Sequence, residues 1–277
     1  MSDVLVERGV VMTLFIEGIA LWAPALPGWE HARAAFRGEG ALPEPVKRPS
    51  PQLLAPAERR RAPDTVALAL EVATAAVAAA QRDAASLPCV FASAHGDLAI
   101  NDYMCTTLVS TPLLISPTKF HNSVHNAAAG YWTIGSGCMQ ASSALSAHAH
   151  SFAAGLLEAA TQCAADDTPV LLAAYDIAAV GHLRDVIDSD GLLAVALVIA
   201  PQRSERSIAA FDWSLQPGPA VAAPAASDAA RLLAGNAMAE ALPLFESLAV
   251  ESRVALSMPL SARLSLRITL KDLDESD

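Results

Sequence analysis

"DGLLAVALVIAP", residues 190–201, is an almost unbroken apolar run closed by a proline, and "PVLLAAYDIA", residues 169–178, is a second run of the same kind just before it. Both have strand length, and neither alternates apolar with polar residues. A strand of that composition belongs in a sheet covered on both faces, which means helices packed on each side. Working upstream, "LPCVFASAH" (87–95) reads as a shorter buried strand, and "GVVMTLFIEGIALWAP" (9–24) as a long one running into a turn. Between these lie helical patterns: "GWEHARAAFRG" (28–38), ended by glycine, and the alanine-rich "PDTVALALEVATAAVAAAQRD" (63–83), opened by a proline. Leu145, Ala149, Phe152 and Leu156 recur at helical spacing, so a helix with one inward face is expected over 142–158. Strands alternating with helices predict an α/β layered domain, with helices on both faces of a largely parallel sheet.

Downstream, "QPGPAVAAPAASD" (216–228) is a Pro/Ala linker in which Ser227 or Asp228 is placed to cap a helix over 229–248. "SRVALSM" (252–258) and "ARLSLRITL" (262–270) are expected strands, and "KDLDESD" (271–277) an acidic tail expected to fray. "EGALPEPVKRPSPQLLAP" (39–56) reads as a surface loop. The whole is expected to be one domain: a core over 10–200, a linker over 215–227, a small C-terminal part over 228–270, and the tail.

Composition narrows the function. Of the 277 residues 53% are hydrophobic and 17% charged, more apolar than a soluble monomer needs, so part of the surface is expected to meet a partner. The net charge of −11 and the few aromatic residues argue against a nucleic-acid surface. The apolar stretch 10–29 carries Glu17 and is interrupted by Pro24 and Pro27, which fits a buried strand better than a membrane span. No basic segment with a cleavage pattern opens the chain, and a cytoplasmic location is expected. Cys89, Cys105, Cys138 and Cys163 show no CxxC spacing and are expected to be reduced. Glycine-rich phosphate loops are missing from the sequence, and no cofactor is expected. The basic trio Arg59, Arg60 and Arg61 is either a solvated helix entrance or a docking site for an anionic partner.

Chemistry concentrates in "SPTKFHNSVHNAAAGYWTIGSGC", residues 116–138. Three readings compete. His121 and His125 are four apart, as in half of a zinc site, but Asn122 stands where a zinc hydrolase carries its glutamate, and a third ligand would have to come from His95, Asp97 or Asp102. Alternatively, in "TIGSGCMQASSALSAH" (133–148) Cys138 sits in a Gly/Ser-rich turn leading into the expected helix, where a helix N-terminus lowers a thiol's pKa. Such a nucleophile needs a base, and no pattern singles one out. In the third reading His121, Asn122, His125 and Asn126 satisfy buried backbone groups, while Tyr131 and Trp132 fill a core or an interface.

At this point the sequence resembles a known family. Over much of its length it is similar to β-ketoacyl-acyl-carrier-protein synthases of the thiolase fold, and "PTKFHNSVHNAAAGYWTI" (117–134) resembles the signature of short, chain-length-factor-type members associated with aryl polyene and related pigment pathways. "GVVMTLFIEGIALWAP" stands where the first synthase strand lies, "ERRRAPDTVALALEVATAAV" (58–77) resembles the helix after the family's arginine-rich entrance, and "CVFASAHGDLAINDYMCTTL" (89–108) the next strand, glycine turn and helix. "VALSMPLSARLSLRITL" (254–270) resembles the last strands, with Pro259, Leu260, Ser261 and Ala262 in place of a glycine-rich gating loop. The resemblance implies a thiolase-like α/β/α/β/α layering with a reduced C-terminal half.

Condensing synthases place a cysteine at a strand-to-helix elbow, served by two histidines, or a histidine and an asparagine, from the C-terminal half. This chain has no histidine between Pro201 and Leu256. The resemblance therefore implies a non-catalytic subunit that pairs with an active ketosynthase and works with acyl carrier protein and its phosphopantetheine-bound chain, with a minimal acyltransferase using Cys138 or an acyl-binding scaffold as alternatives. It further implies that Phe120, His121, Asn122, His125, Asn126, Tyr131 and Trp132 line the partner interface and acyl tunnel, and that Arg59, Arg60 and Arg61 dock the carrier.

Overall fold

The computed structural model describes residues 12–273; the expected strand residues 9–11 and the tail from 274 onward lie outside them. Among the described residues nine strands make one sheet: Met12–Ala23 (β1), Leu26–Pro27 (β2), Cys89–Ala92 (β3), Ser142–Leu145 (β4), Val170–Ile177 (β5), Leu192–Ala200 (β6), Ala209–Pro217 (β7), Ala255–Ser261 (β8) and Leu264–Lys271 (β9). Their order is β4-β3-β5-β6-β1-β7-β9-β8, with β2 hooked back on β1. The helices are Trp29–Phe36 (α1), Pro56–Arg61 (α2), Asp64–Ala79 (α3), Leu98–Ser110 (α4), Pro117–His121 (α5), Ala127–Ser136 (α6), Ser151–Asp166 (α7), Asp228–Arg231 (α8) and Leu242–Ala249 (α9).

The apolar runs do bury both faces. Ala20 and Trp22 of β1, Phe91 of β3 and Leu171, Ala173 and Tyr175 of β5 pack against α3 and α6. The opposite face, with Leu14, Ile16, Ile19 and Leu21 of β1, packs against α1, α7 and α9. Leu14 and Ile16 share a face with Ile19 and Leu21 because the register shifts between Ile16 and Gly18 in the pairing with β6, a bulge that reverses the alternation. Gly18 is required there: a Cβ would lie 2.1 Å from the Ala76 carbonyl oxygen on α3. The bulge also turns Glu17 into the interior, where Arg82 binds both carboxylate oxygens and the Ser204 hydroxyl donates at 2.7 Å.

Three expectations need correction. The sheet is mostly antiparallel, and only β3 with β4 and β3 with β5 run parallel. Burial on both faces does not encode strand direction, and the link between β5 and β6 holds only a 3-10 turn, Gly181–Asp185, so β6 returns antiparallel to β5. The helix expected over 142–158 begins at Ser151, and Ser142–Leu145 is strand β4 instead. The helix expected over 229–248 is split into α8 and α9 by a turn around Asn236, whose side chain holds the Asp190 carbonyl at 2.9 Å and accepts from the Met238 N–H at 2.9 Å. Strand β7, absent from the sequence reading, fills the sheet between β1 and β9. The thiolase-like layering thus takes a reduced form here, with one sheet between two helical layers.

Candidate functional site

The chemistry-bearing residues gather at one end of the sheet, around the edge strand β4 and the turns at the C-terminal ends of β3 and β4. Strand β4 pairs only with β3 among the described residues. The Cys89 N–H donates to the Ala141 carbonyl at 3.0 Å and the Ser93 N–H to the Leu145 carbonyl at 3.2 Å. Backbone groups alternate sides along a strand, so those of Ser142 and Ala144 point away from the sheet, an open edge of the kind that takes a further strand.

Beyond β3 the turn Ser93–Gly96 is built on Asp176, which is wholly buried on β5. Its carboxylate accepts the Ser93 hydroxyl at 2.9 Å, the Ala94 N–H at 2.8 Å and the His95 N–H at 3.2 Å. Burial pushes the Asp176 carboxyl up to about 6, against these hydrogen bonds. His125 Nε2 lies 3.0 Å from the Ser93 carbonyl. Next, Asp97 caps α4 through the Ile100 N–H at 2.8 Å and accepts the Thr65 hydroxyl at 2.7 Å.

Beyond β4 the chain turns directly into α7. Here His148 has a left-handed backbone, φ 53°, and an exposed side chain. Its ring meets that of His95 edge-on, with centroids 5.6 Å apart. Burial, then His148, hold the His95 imidazole below its ordinary range. His150 Nδ1 lies 3.6 Å from Glu240 Oε1, and the same carboxylate accepts the Ala153 N–H at 3.3 Å in the first turn of α7. The long sheet strands bring this junction together, yet Asp176, His148, His150 and Glu240 did not stand out in the sequence. The signal for the junction was "LSAHAHS" (145–151), a left-handed elbow that small residues disguised as helix.

Cys138 is elsewhere. It follows the left-handed Gly137 that ends α6, its N–H donating to the Thr133 carbonyl at 2.9 Å, and its buried thiol contacts the Leu87 carbonyl at 3.3 Å. The cysteine expected before a helix thus sits after one and leads into strand β4, at the negative rather than the positive helix end. Burial pushes Cys89 up to about 11 and Cys163 up to about 12, and Cys105 is exposed on α4. The strand-to-helix elbow itself carries His148 and no thiol.

His121 ends α5 while His125 lies in the turn before α6, so the same-face spacing considered for a metal pair does not arise. Among the described residues no group of three or more His, Cys, Asp or Glu is placed to share a metal ion. Trp132 is buried against Phe91, ring centroids 6.4 Å apart, Asn122 is buried, Tyr131 half-buried, and Asn126 precedes α6 with its side chain exposed. Phe120 is 63% exposed, Ile134 85% and Met139 93%. Eight of the seventeen exposed large apolar side chains among the described residues fall between 108 and 139, so the apolar surplus is concentrated in this one stretch, whose helix α6 also contacts β4. Tyr103 anchors this arm, accepting from the Ser116 N–H at 3.1 Å while Lys119 Nζ lies 3.7 Å above its ring. On α2, Arg60 and Arg61 are exposed, whereas Arg59 leans inward toward the Ser50 hydroxyl at 3.5 Å.

Glu240 supports a prediction independent of function. Burial raises its carboxyl from 4.5 to about 7, outweighing the Ala153 hydrogen bond. The folded chain therefore holds this proton more tightly than the unfolded chain. Its contribution is full below pH 4.5 and is lost as pH rises through about 7, on the order of 3 kcal/mol across the window. Glu240→Gln should melt higher than the parent at pH 8 and draw level near pH 5 in thermal scans; parallel pH profiles would contradict this.

Residues 29–257 match the family described as "Beta-ketoacyl synthase, N-terminal domain". A comparison with curated protein sequences finds no match. Among solved structures, a chain of the ketosynthase (ApeO) in complex with its chain length factor (ApeC) from Xenorhabdus doucetiae is 23% identical, with TM-score 0.69, covering 93% of this chain and 99% of that one. The ishigamide ketosynthase/chain length factor is 16% identical, with TM-score 0.65, covering 94% and 99%. A β-ketoacyl synthase from Burkholderia phymatum STM815 is 14% identical, with TM-score 0.58, covering 87% of this chain and 71% of its own. At such identities the likeness establishes the fold.

Proposed function

Because the chain belongs to the β-ketoacyl synthase family, whose N-terminal domain spans residues 29–257, we propose that it is a non-catalytic, chain-length-factor-like partner of an active ketosynthase. In this reading it completes the partner's acyl tunnel during iterative extension of an aryl polyene-type chain on acyl carrier protein. The observation that carries the reading is the site itself: an open sheet edge with exposed Ile134 on the adjoining α6 and exposed Met139 leading into β4, and an elbow that holds His148 where a condensing enzyme needs a thiol. Of the four cysteines none is at the elbow, and the one nearest in sequence, Cys138, is buried at the far end of β4. The structures it is similar to include complexes of a ketosynthase with a chain length factor, which is the assembly proposed for this chain.

Within that assembly the segment 116–138 faces the partner. Phe120 projects into the tunnel, His125 and Trp132 hold the segment's shape from within, and Arg60 and Arg61 with Arg59 meet the carrier. Co-expression with a ketosynthase encoded beside this chain should yield a stable complex, its interface burying on the order of 1,600 Å² or more. Recovery of the two proteins apart would reject the reading.

Phe120→Ala tests the tunnel. The ring is exposed in the isolated chain, so its removal should leave the melting temperature within about 1–2 °C of the parent. In the reconstituted pair it should move carrier-bound products toward longer chains by mass spectrometry. An unchanged product distribution from a folded complex would remove Phe120 from the tunnel wall.

A further inference from the structure

The elbow carries a second pair of ionisable groups besides His95 and His148. Helix α7 receives no side-chain cap from His150, the residue before it. Its Ala153 N–H donates instead to Glu240 Oε2 at 3.3 Å, on the 3-10 turn Ala239–Ala241 between α8 and α9. The Glu240 side chain is only 8% exposed, and its other oxygen, Oε1, makes no hydrogen bond among the described residues. His150 Nδ1 is likewise buried and without one, and it lies 3.6 Å from Oε1, too far for a hydrogen bond. Nearby Glu246 shows how the same part of the chain holds a buried carboxylate when only structure is at stake: both oxygens accept backbone N–H groups, from Ala226 at 2.9 Å and Ser227 at 2.6 Å. Glu240 has one such bond for two oxygens, so burial prevails and pushes its carboxyl up to about 7.

With Glu240 ionised and Nδ1 unprotonated, two lone pairs face each other across this gap, and a single proton turns that repulsion into a bond. Other ionisable groups around the pair are engaged elsewhere. His148 meets His95, Glu246 of α9 is held by its two N–H groups, and Glu158, the first ionisable residue of α7, accepts from Gln162 at 2.8 Å. Strand β8, which packs on the turn His148–His150, has no ionisable side chain. We propose that Glu240 and His150 form a proton-operated latch: one proton taken from solvent bridges Oε1 and Nδ1, closes the gap to hydrogen-bond length, and ties the turn between α8 and α9 to the elbow and the first turn of α7. The sign follows from the raised carboxyl. The folded chain takes up the proton more tightly than the unfolded one, so the tie is present in mild acid and is lost as pH rises through about 7.

The test is hydrogen–deuterium exchange of the full chain at pH 6 and pH 8, corrected for intrinsic rates, in peptides covering 148–156 and 236–244. In the parent both should be about 10-fold less protected at pH 8 than at pH 6. His150→Leu keeps Glu240 covered by an apolar side chain while removing Nδ1, and it should abolish most of that difference. Glu240→Gln, whose amide is a fixed donor toward Nδ1, should be equally protected at both pH values. A pH response in His150→Leu as large as the parent's would assign the effect to burial of Glu240 alone and overturn the latch, as would a parent equally protected at pH 6 and pH 8. The imidazole nitrogen-15 spectrum gives a second reading that needs only the parent and Glu240→Gln. The parent's His150 Nδ1 signal should shift with the same midpoint as the loss of protection, and a titration of that signal left unchanged by Glu240→Gln would overturn the proposal.

Discussion

Replacing Ala144 by proline is expected to weaken binding of the ketosynthase partner by at least about 100-fold while leaving this chain folded. The bonds from Cys89 to Ala141 and from Ser93 to Leu145 place alternate residues of β4 against β3, so the Ala144 N–H points outward. Proline there removes a donor that the chain's own fold does not use, and edge positions tolerate it. What it disturbs is addition of a partner strand, through the lost hydrogen bond and the bulk of the ring. Ser143→Pro is the matched control, since that N–H faces β3, and it should lower the melting temperature of the isolated chain. Titration of the partner against Ala144→Pro with no loss of affinity would place the interface away from β4.

Arg82→Ala should be the most damaging single change to the isolated chain, costing roughly 3–5 kcal/mol at neutral pH. Glu17 has no exposed side-chain surface, and Arg82 binds both of its carboxylate oxygens. Burial alone would push the Glu17 carboxyl up, but the bonds from Arg82 and Ser204 outweigh it and hold the group below its ordinary range. Without the guanidinium the carboxylate is left buried and uncompensated, and it escapes only by taking a proton. The loss should therefore be smaller in acid than at neutral or higher pH, a trend that denaturant titrations at pH 4 and pH 8 would show. A variant equally stable to the parent at pH 8 would contradict this account of the bulge.

Those two residues show what the sequence encodes and what it conceals. Glu17 in an apolar run signals a buried strand, yet nothing near it in sequence names Arg82 as its partner or announces the bulge that turns it inward. The runs at 169–178 and 190–201 mark a sheet covered on both faces, because burial is written in side-chain chemistry, but direction depends on the connections. Strand β4 was missed because its residues, Ser142 to Leu145, are small and weakly β-forming; an edge strand awaiting a partner has no core of its own to signal it. With β4 read as helix, the elbow at His148 disappeared and Cys138 was left as the apparent nucleophile. Within 116–138 the structural part of the mixture was legible, since His125 and Trp132 turn inward, whereas Phe120 and Ile134 are exposed and their role as an interface is part of the proposal.

The central claim, that this chain partners a condensing enzyme without carrying the acyl group itself, is tested most directly by intact-protein mass spectrometry of the co-purified complex after exposure to an acyl carrier protein bearing an acyl thioester. The account predicts an added acyl mass on the ketosynthase partner and an unmodified mass for this chain, with the same result when this chain is Cys138→Ala. An acyl mass on this chain that disappears in Cys138→Ala would contradict it and make the chain a cysteine acyltransferase.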